Sequence, residues 1–334
     1  MNRKKIALVT GGYSGESVIS YKSAKTIQEN LDHRLWDVYL IDIHKDGWDY
    51  VSASGERIPV NKHNFSIQLD GQTIVFDAVF IGMHGTPGED GKLQGYFDCL
   101  DIPYTSCNAA TSGITFNKRY TVAIAAFDGI PVAKSVHLFK YNQATSAEIL
   151  NQLSLPLFVK PNNGGSSLGI SKVKFVEELD DAIEKAFSVD HEVLVEECIV
   201  GREFTIGVYR LNGEICTLPI TEIITTREFF DYDAKYLGAS QEVTPANLDE
   251  KAADQICALA KKAYRTFNAS GVVRIDFIYQ QEEERPYLLE INTIPGQSEA
   301  SIIPQQVKAA GMDLSTFYST LLHECLILSS KTNF

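Results

Sequence analysis

The chain has no apolar run approaching the ~20 residues that a membrane-spanning helix needs. Its basic start, MNRKK, is followed only by the short apolar stretch Ile6–Val9. Neither a secretory leader nor a membrane span is therefore expected. Positive charge is scarce: 30 Lys and Arg stand against 43 Asp and Glu, a net charge of −13. That sign disfavours a nucleic-acid or anionic-membrane partner, whereas binding one nucleotide needs only a few local cations. The 6 cysteines stand singly, with no C-x-x-C pair. This argues against zinc and for reduced packing thiols in a cytoplasmic protein. Two nucleotide fingerprints are also missing. The glycine turn GGYSG lacks the G-x-G-x-x-G spacing, and the Gly/Ser loop after Lys160 puts Ile170 where a Walker loop requires lysine. No internal repeat or low-complexity segment is visible.

What is present reads as an α/β protein. At 334 residues and 44% apolar content, two or three domains are expected. Near the N-terminus, strand candidates at 6–10, 36–43 and 78–83 alternate with helical pattern, the first helix running from Val18 to about Asn30. Such alternation predicts a parallel sheet with its ligands at the carboxyl ends of the strands. Two polar loops leave such ends, carrying Glu16 and His84. Either residue could hold a substrate ammonium or orient a partner, although a lone loop glutamate also serves as a helix N-terminal charge. A boundary falls near residue 110, and Lys118 starts a helix reaching about Phe127.

Strand candidates follow at 131–133 and 157–160. Lys160 then opens a loop, 162–169, with Gly164, Gly165, Gly169, Ser166 and Ser167, before a strand at 170–173. Glycines let backbone N–H groups approach phosphate oxygens, and serine hydroxyls add donors. Lys118 and Lys160 would supply cations. A short amphipathic helix is expected at 177–187 and a strand at 192–196, running into Glu197, Cys198 and Ile199. Antiparallel strands at 203–209 and 215–223 flank an Asn212-Gly213 turn. The aromatic-rich loop 225–242, with FFDYDAKYLG, has the look of a lid. A helix is expected over 249–267, with Ile256, Leu259, Ala260, Ala263 and Phe267 on one stripe.

Residues 272–301 carry the most telling pattern. Two β-branched and aromatic runs, 272–279 and 287–291, flank the charged turn QEEERP and predict an antiparallel pair. Asp276 lies inside the first run, Glu290 near the end of the second, and Asn292 two residues on. Residues two apart on a strand share a face, so Glu290 and Asn292 aim at one spot, and a neighbouring strand can bring Asp276 there. Two carboxylates and an amide are hard oxygen donors suited to Mg²⁺ and phosphates rather than zinc. Arg274 alternates with Asp276 and places a cation beside them.

The stretches GGYSGES, HGTPGEDGKLQG, FVKPNNGGSSLG, FFDYDAKY, RIDF and LLEINTIPGQSEAS, in this order over nearly the whole chain, resemble the D-alanine–D-alanine ligases of the ATP-grasp superfamily. The resemblance implies a three-domain ATP-grasp architecture divided at 1–110, 111–200 and 201–334. It implies ATP as cosubstrate, two Mg²⁺ ions (Mn²⁺ as an alternative), D-alanine as substrate and a homodimer. Residue by residue, Asp276, Glu290 and Asn292 are expected to hold the metal, and Lys118, Lys160, Lys235 and the Ser166–Ser167 loop the phosphates. Glu196, Glu197, Glu203 and the Cys198–Ile199 backbone would hold adenine and ribose. Arg274 and the Gly296 N–H would grip an oxyanion, Glu16 and His84 would orient the first D-alanine, and Ser301 with the Ile302 backbone would hold the second. Ser166 and Tyr236 would join Glu16 in closing the lid. Ligases that use D-lactate lack the loop tyrosine, so Tyr236 favours an amine nucleophile. The chain departs from the family's usual pattern at Ser17, where arginine is usual, at Asn117, where aspartate is common, and in PGQSEAS, where PGMT is commoner. Another ATP-grasp carboxylate–amine ligase would keep the ATP and metal residues, but Glu16, His84 and the Tyr236 loop argue against it. A nucleotide-binding regulator would have a broken metal trio or lack Arg274.

Overall fold

A computed structural model describes residues 3–165, 168–225 and 240–332. Three larger sheets occupy successive stretches of chain. The first contains β1 (Lys4–Gly11), β2 (Trp36–Ile43), β3 (Trp48–Val51), β4 (Arg57–Pro59) and, beyond the small β5 (Ile67–Leu69)–β6 (Gln72–Ile74) hairpin, β7 (Ala78–Ile81), in the order β4-β3-β2-β1-β7. β1 runs parallel to β2 and β7, while β3 and β4 add antiparallel edges. The strand period of two divides β1 cleanly. Ile6 and Leu8 pack with the helix Ser17–Asn30 and the C-terminal helix Leu314–Thr332, and Ala7 and Val9 face the opposite core. The last helix thus returns to the first sheet, where Ser319 Oγ accepts the Trp36 indole N–H at 3.0 Å.

The second sheet is antiparallel, in the order β10-β9-β11-β8, with β8 (Ser135–Phe139), β9 (Leu157–Pro161), β10 (Ser171–Val173) and β11 (Glu192–Glu197). The strand expected at 131–133 lies instead at 135–139. Proline lacks a ladder N–H, and the Pro131 carbonyl accepts an N–H from Leu288 in the third sheet. The helix Leu179–Phe187 covers this sheet, burying Leu179, Ile183 and Phe187.

The third sheet contains β12 (Arg202–Leu211), β13 (Glu214–Thr217), β14 (Thr221–Thr225), β15 (Ser240–Val243), β16 (Val273–Gln280) and β17 (Arg285–Asn292). It runs β15-β14-β12-β16-β17, with β13 paired to β12. The Asn212-Gly213 turn has positive φ at both residues, 52° and 83°, as a tight hairpin requires. The segment expected as one strand over 215–223 is split into β13 and β14. Phe204, Ile206, Val273, Ile275 and Phe277 face the core under the helix Glu250–Thr266, which Asp249 caps by accepting the Ala252 N–H. Alternation then forces Thr205, Gly207, Arg274 and Asp276 onto the other face.

Two close approaches join this sheet to the first. A Cβ on Gly271 (φ +65°) would lie 1.9 Å from the Thr105 carbonyl oxygen, so only glycine fits where the chain enters β16. The helix Ile302–Ala309 lies across Gly207, whose N–H donates to Gln306 Oε1 at 2.9 Å. Among the described residues no helix is long and apolar enough to cross a membrane.

Candidate active site

A cleft of about 330 Å³ lies where the three sheets meet. Its walls bring together Glu16, His84, Lys118, Gly164, Gly165, Arg274, Glu290, Asn292, Gly296, Ser301 and Ile302, residues spread over almost three hundred positions of sequence.

Antiparallel pairing of β16 and β17 sets the floor. Asp276 lies opposite Glu290, and Arg274 opposite Asn292, beside a bulge between Asp276 and Phe277. Arg274 holds Asp276 in a bidentate grip, Nε to Oδ1 at 2.9 Å and Nη2 to Oδ2 at 2.8 Å, and reaches Glu290 at 3.5 Å. Thr205 Oγ1 donates to Asp276 Oδ1. Asn292 Nδ2 donates to both carboxylates at 3.3 Å. The Asp276 side chain is 9% exposed and that of Glu290 38%, so Glu290 is the one open to an incoming ion. Among the described residues no three His, Cys, Asp or Glu side chains group to hold a metal. The donor set here is two carboxylates and an amide. With the Asn292 amide turned so that its oxygen faces the carboxylates, it offers three hard oxygens, which fits Mg²⁺.

Burial works against the Arg274 cation, but Asp276, Glu290 and Glu89 outweigh it and hold the guanidinium charged. Glu89, in the 84–91 loop, was not singled out from sequence, though it stands in the HGTPGEDG stretch. It accepts the Gly85 N–H at 2.7 Å and lines the cleft with Glu16. Protein atoms crowd its carboxyl even though part of the residue still reaches the cleft. This burial and the nearby Glu16 push its pKa up to about 8, Glu290 adding while the Gly85 N–H and Arg274 oppose. Burial and Glu16 thus favour the protonated form of Glu89, and Arg274 opposes it. Lys22 and Glu242 also line the cleft without having stood out in the sequence.

Glu16 sits at the N-terminus of the helix Ser17–Asn30, packed so closely that a Cβ on Gly85 or Gly165 would approach its carboxylate to 2.5 or 2.9 Å. His84 lines the cleft with both ring nitrogens engaged. Nδ1 lies 2.9 Å from the Ile294 carbonyl, which can only accept, so Nδ1 carries the proton and Nε2 accepts from Ser23 Oγ at 2.9 Å. Burial pushes this imidazole down to about 4, with the Ile294 carbonyl opposing and Arg274 adding to the fall. His84 is thus a neutral clamp between the first sheet and the loop after β17.

Ser301 stands at the N-cap position of the helix Ile302–Ala309 without a side-chain cap bond, and its Oγ lies 2.7 Å from Ser298 Oγ. A Cβ on Gly296 would come within 2.7 Å of that Ser301 oxygen. Ile302 and Ile303, the first two residues of this helix, line the cleft, and a helix N-terminus is a favourable place for a carboxylate.

Lys118 Nζ donates to the Gly164 carbonyl at 2.9 Å. Lys160 is ion-paired with Glu196 across the neighbouring strands β9 and β11, outside the cleft lining. Glu197 accepts the Ser154 N–H, and the Cys198 N–H is spent on the Pro156 carbonyl. Cys198 and Ile199 follow β11, and Glu203 lies on β12 opposite Ile278. These residues, Lys118 apart, lie outside that cleft lining, on the second sheet and the start of the third. Ser166, Ser167, Lys235 and Tyr236 lie outside the described residues.

Family models match in two pieces: D-ala D-ala ligase N-terminus over residues 5–107 and D-ala D-ala ligase C-terminus over 124–323. A D-alanine--D-alanine ligase of Parabacteroides distasonis is 43% identical over 96% of this chain and 97% of its own. One from Flavobacterium psychrophilum is 45% identical over 92% and 93%. Among solved structures, the VanG D-Ala:D-Ser ligase of Enterococcus faecalis superimposes with TM-score 0.88 at 34% identity, covering 96% of this chain and 99% of that one. A D-alanine--D-alanine ligase of Bacillus anthracis complexed with ATP gives 0.78 at 26% identity, over 98% and 99%.

Proposed function

The chain belongs to the D-alanine–D-alanine ligase family, and from that premise we propose how its own residues carry the reaction. It is an ATP-dependent, ADP-forming ligase of ATP-grasp fold that joins two D-alanine molecules to D-alanyl-D-alanine for peptidoglycan synthesis. The observation that carries the residue assignment is the convergence in one cleft of Arg274 with its carboxylates, a glycine loop beside Lys118, and the helix N-terminus at Ser301.

In this reading the first D-alanine lies with its ammonium at Glu16, in a pocket whose wall His84 holds in place. Its carboxylate attacks the γ-phosphate of ATP, giving an acyl phosphate and ADP. The second D-alanine docks its carboxylate at Ser301 and the Ile302 N–H. Its amine attacks the acyl carbon, and phosphate leaves from a tetrahedral intermediate whose oxyanion faces Arg274 and the Gly296 N–H. Phosphoryl transfer demands charge neutralisation more than covalent help. Lys118, Lys160 and Lys235 supply it with the Ser166–Ser167 backbone, Lys160 leaving Glu196 as ATP enters. Two Mg²⁺, or Mn²⁺, held by Asp276, Glu290 and Asn292 would neutralise phosphate oxygens when bound. Glu196, Glu197, Cys198, Ile199 and Glu203 take adenine and ribose. Ser166 and Tyr236 close the lid with Glu16. We assign residues 1–110, 111–200 and 201–334 to three domains and place the enzyme in the cytoplasm as a homodimer.

The test is ADP release and product analysis with D-alanine, D-serine and D-lactate. D-alanyl-D-alanine is the expected main product. Depsipeptide from D-lactate without dipeptide from D-alanine would overturn the amine-acceptor reading. A higher kcat/KM for D-serine as acceptor would transfer the assignment to a D-Ala:D-Ser ligase, the activity named for one structural neighbour.

A further inference from the structure

The glycine loop is rooted by two adjacent asparagines, Asn162 and Asn163, each using both ends of its carboxamide. Asn162 accepts the Arg119 N–H at 2.8 Å and donates to Glu192 at 3.0 Å. Asn163 accepts from Asn117 Nδ2 at 3.3 Å and donates to Asp190 Oδ2 at 2.9 Å. The Asn163 backbone N–H goes to the same Asp190 oxygen at 2.7 Å. A carboxylate only accepts, so Asp190 draws the Asn163 nitrogen toward itself and turns the Asn163 oxygen toward residue 117. Residue 117 must therefore donate in that direction. It must also accept, because its Oδ1 caps the helix Lys118–Phe127 by taking the Tyr120 N–H at 3.0 Å. Asparagine has both functions, whereas aspartate has acceptors alone.

We propose that Asn117, Asn163 and Asp190 form a hydrogen-bond relay that positions the glycine loop on the nucleotide phosphates. Asn117 and Asp190 act through Asn163 and are positioning residues. The relay sits at the junction of both phosphate-binding parts. Asn163 directly precedes Gly164, whose carbonyl accepts from Lys118 Nζ, and Lys118 follows Asn117 on the helix that Asn117 caps. A turned Asn163 amide displaces the loop and that lysine together. The relay accounts for asparagine at 117, where the resemblance leads one to expect aspartate. It rests on the assignment of this loop to ATP phosphates.

Asparagine and aspartate serve equally as helix N-caps. Asn117→Asp thus preserves the cap and breaks only the bond to Asn163, leaving two oxygens face to face. Steady-state kinetics on the full-length enzyme should show the KM for ATP raised about tenfold, the scale of one hydrogen bond with a charged or unsatisfied partner. The KM for D-alanine and the thermal midpoint should stay close to wild type. Asp190→Ala separates relay from charge, because asparagine would keep an oxygen able to accept both Asn163 N–H groups. Removing a negative charge near the loop favours ATP by Coulomb attraction, whereas the relay requires a higher ATP KM. The double variant should be no worse than the worse single variant, since both break one chain of bonds. An unchanged ATP KM in Asn117→Asp, or a lowered one in Asp190→Ala, overturns the relay. Lys118→Gln locates such a failure. If it raises the ATP KM while the relay variants do not, the relay alone is wrong. If all three leave it unchanged, the loop does not face the phosphates and the phosphate assignment falls as well.

Discussion

Arg274 and Asp276 are neighbours on one face of one strand, and the arginine fork closes on the carboxylate through two hydrogen bonds of 2.9 and 2.8 Å. The same guanidinium stands 3.5 Å from Glu290 on the partner strand. A single cation thereby orients one carboxylate and borders the other. Lysine keeps the charge but lacks the planar fork. Arg274→Lys should therefore fold and bind ATP, yet lose about 10²-fold in kcat, the range seen when one oxyanion donor is removed. A kcat within threefold of wild type would show that the fork has no part in the chemistry.

Glu290 is the more open of the paired carboxylates, and it faces the cleft rather than a protein cation alone. Glu290→Gln removes one negative charge at nearly constant shape. Turnover should fall below detection, and Mg²⁺ titration of the ATP-bound protein should show affinity weakened at least tenfold. Unaltered Mg²⁺ dependence with full activity would rule out the metal role of the β16–β17 pair.

His84 links stability to pH. Its folded-state pKa is pushed down to about 4 by burial, against 6.5 for a free imidazole. Between these values the unfolded chain binds the extra proton and the folded chain does not. Stability is therefore lost as pH falls from about 6.5 toward about 4, at up to roughly 1.4 kcal/mol per pH unit from this residue. His84→Gln should be less stable at neutral pH, because the bonds to Ser23 and Ile294 are disturbed, but its denaturation midpoint should fall less steeply over that window. Parallel slopes for the two proteins would show that His84 is not the acid-sensitive group.

Much of the site could be read from residue order. Antiparallel pairing of the 272–291 runs followed from β-branched composition around a charged turn, and the period of two put Arg274 with Asp276 and Glu290 with Asn292. The helix starts at Asp249 and Lys118, the Asn212-Gly213 hairpin and the alternating face of β1 are all local, so neighbouring residues suffice to encode them. The strands β3 to β6 were not visible, being only three or four residues long. The strand placed at 131–133 was displaced because Pro131 lacks the N–H a ladder needs.

Tertiary structure alone decided what depends on distant segments meeting. The C-terminal helix packs on the first sheet because Phe317, Tyr318 and Leu321 complete the apolar face of Ile6, Leu8 and Phe80, a match across more than two hundred residues. The sequence left His84 to hold a substrate ammonium or orient a partner, and its two bonds to Ser23 and Ile294 exist only in the assembled fold. Glu89 gained its place in the site only from burial beside Glu16, which favours its protonated form. The sequence by itself determined which donors lie on which strand face, since backbone geometry sets that within a few residues. Which nitrogen is spent, which acid is protonated and which asparagine amide is turned which way are set by dielectric and by partner geometry. Those belong to the assembled cleft.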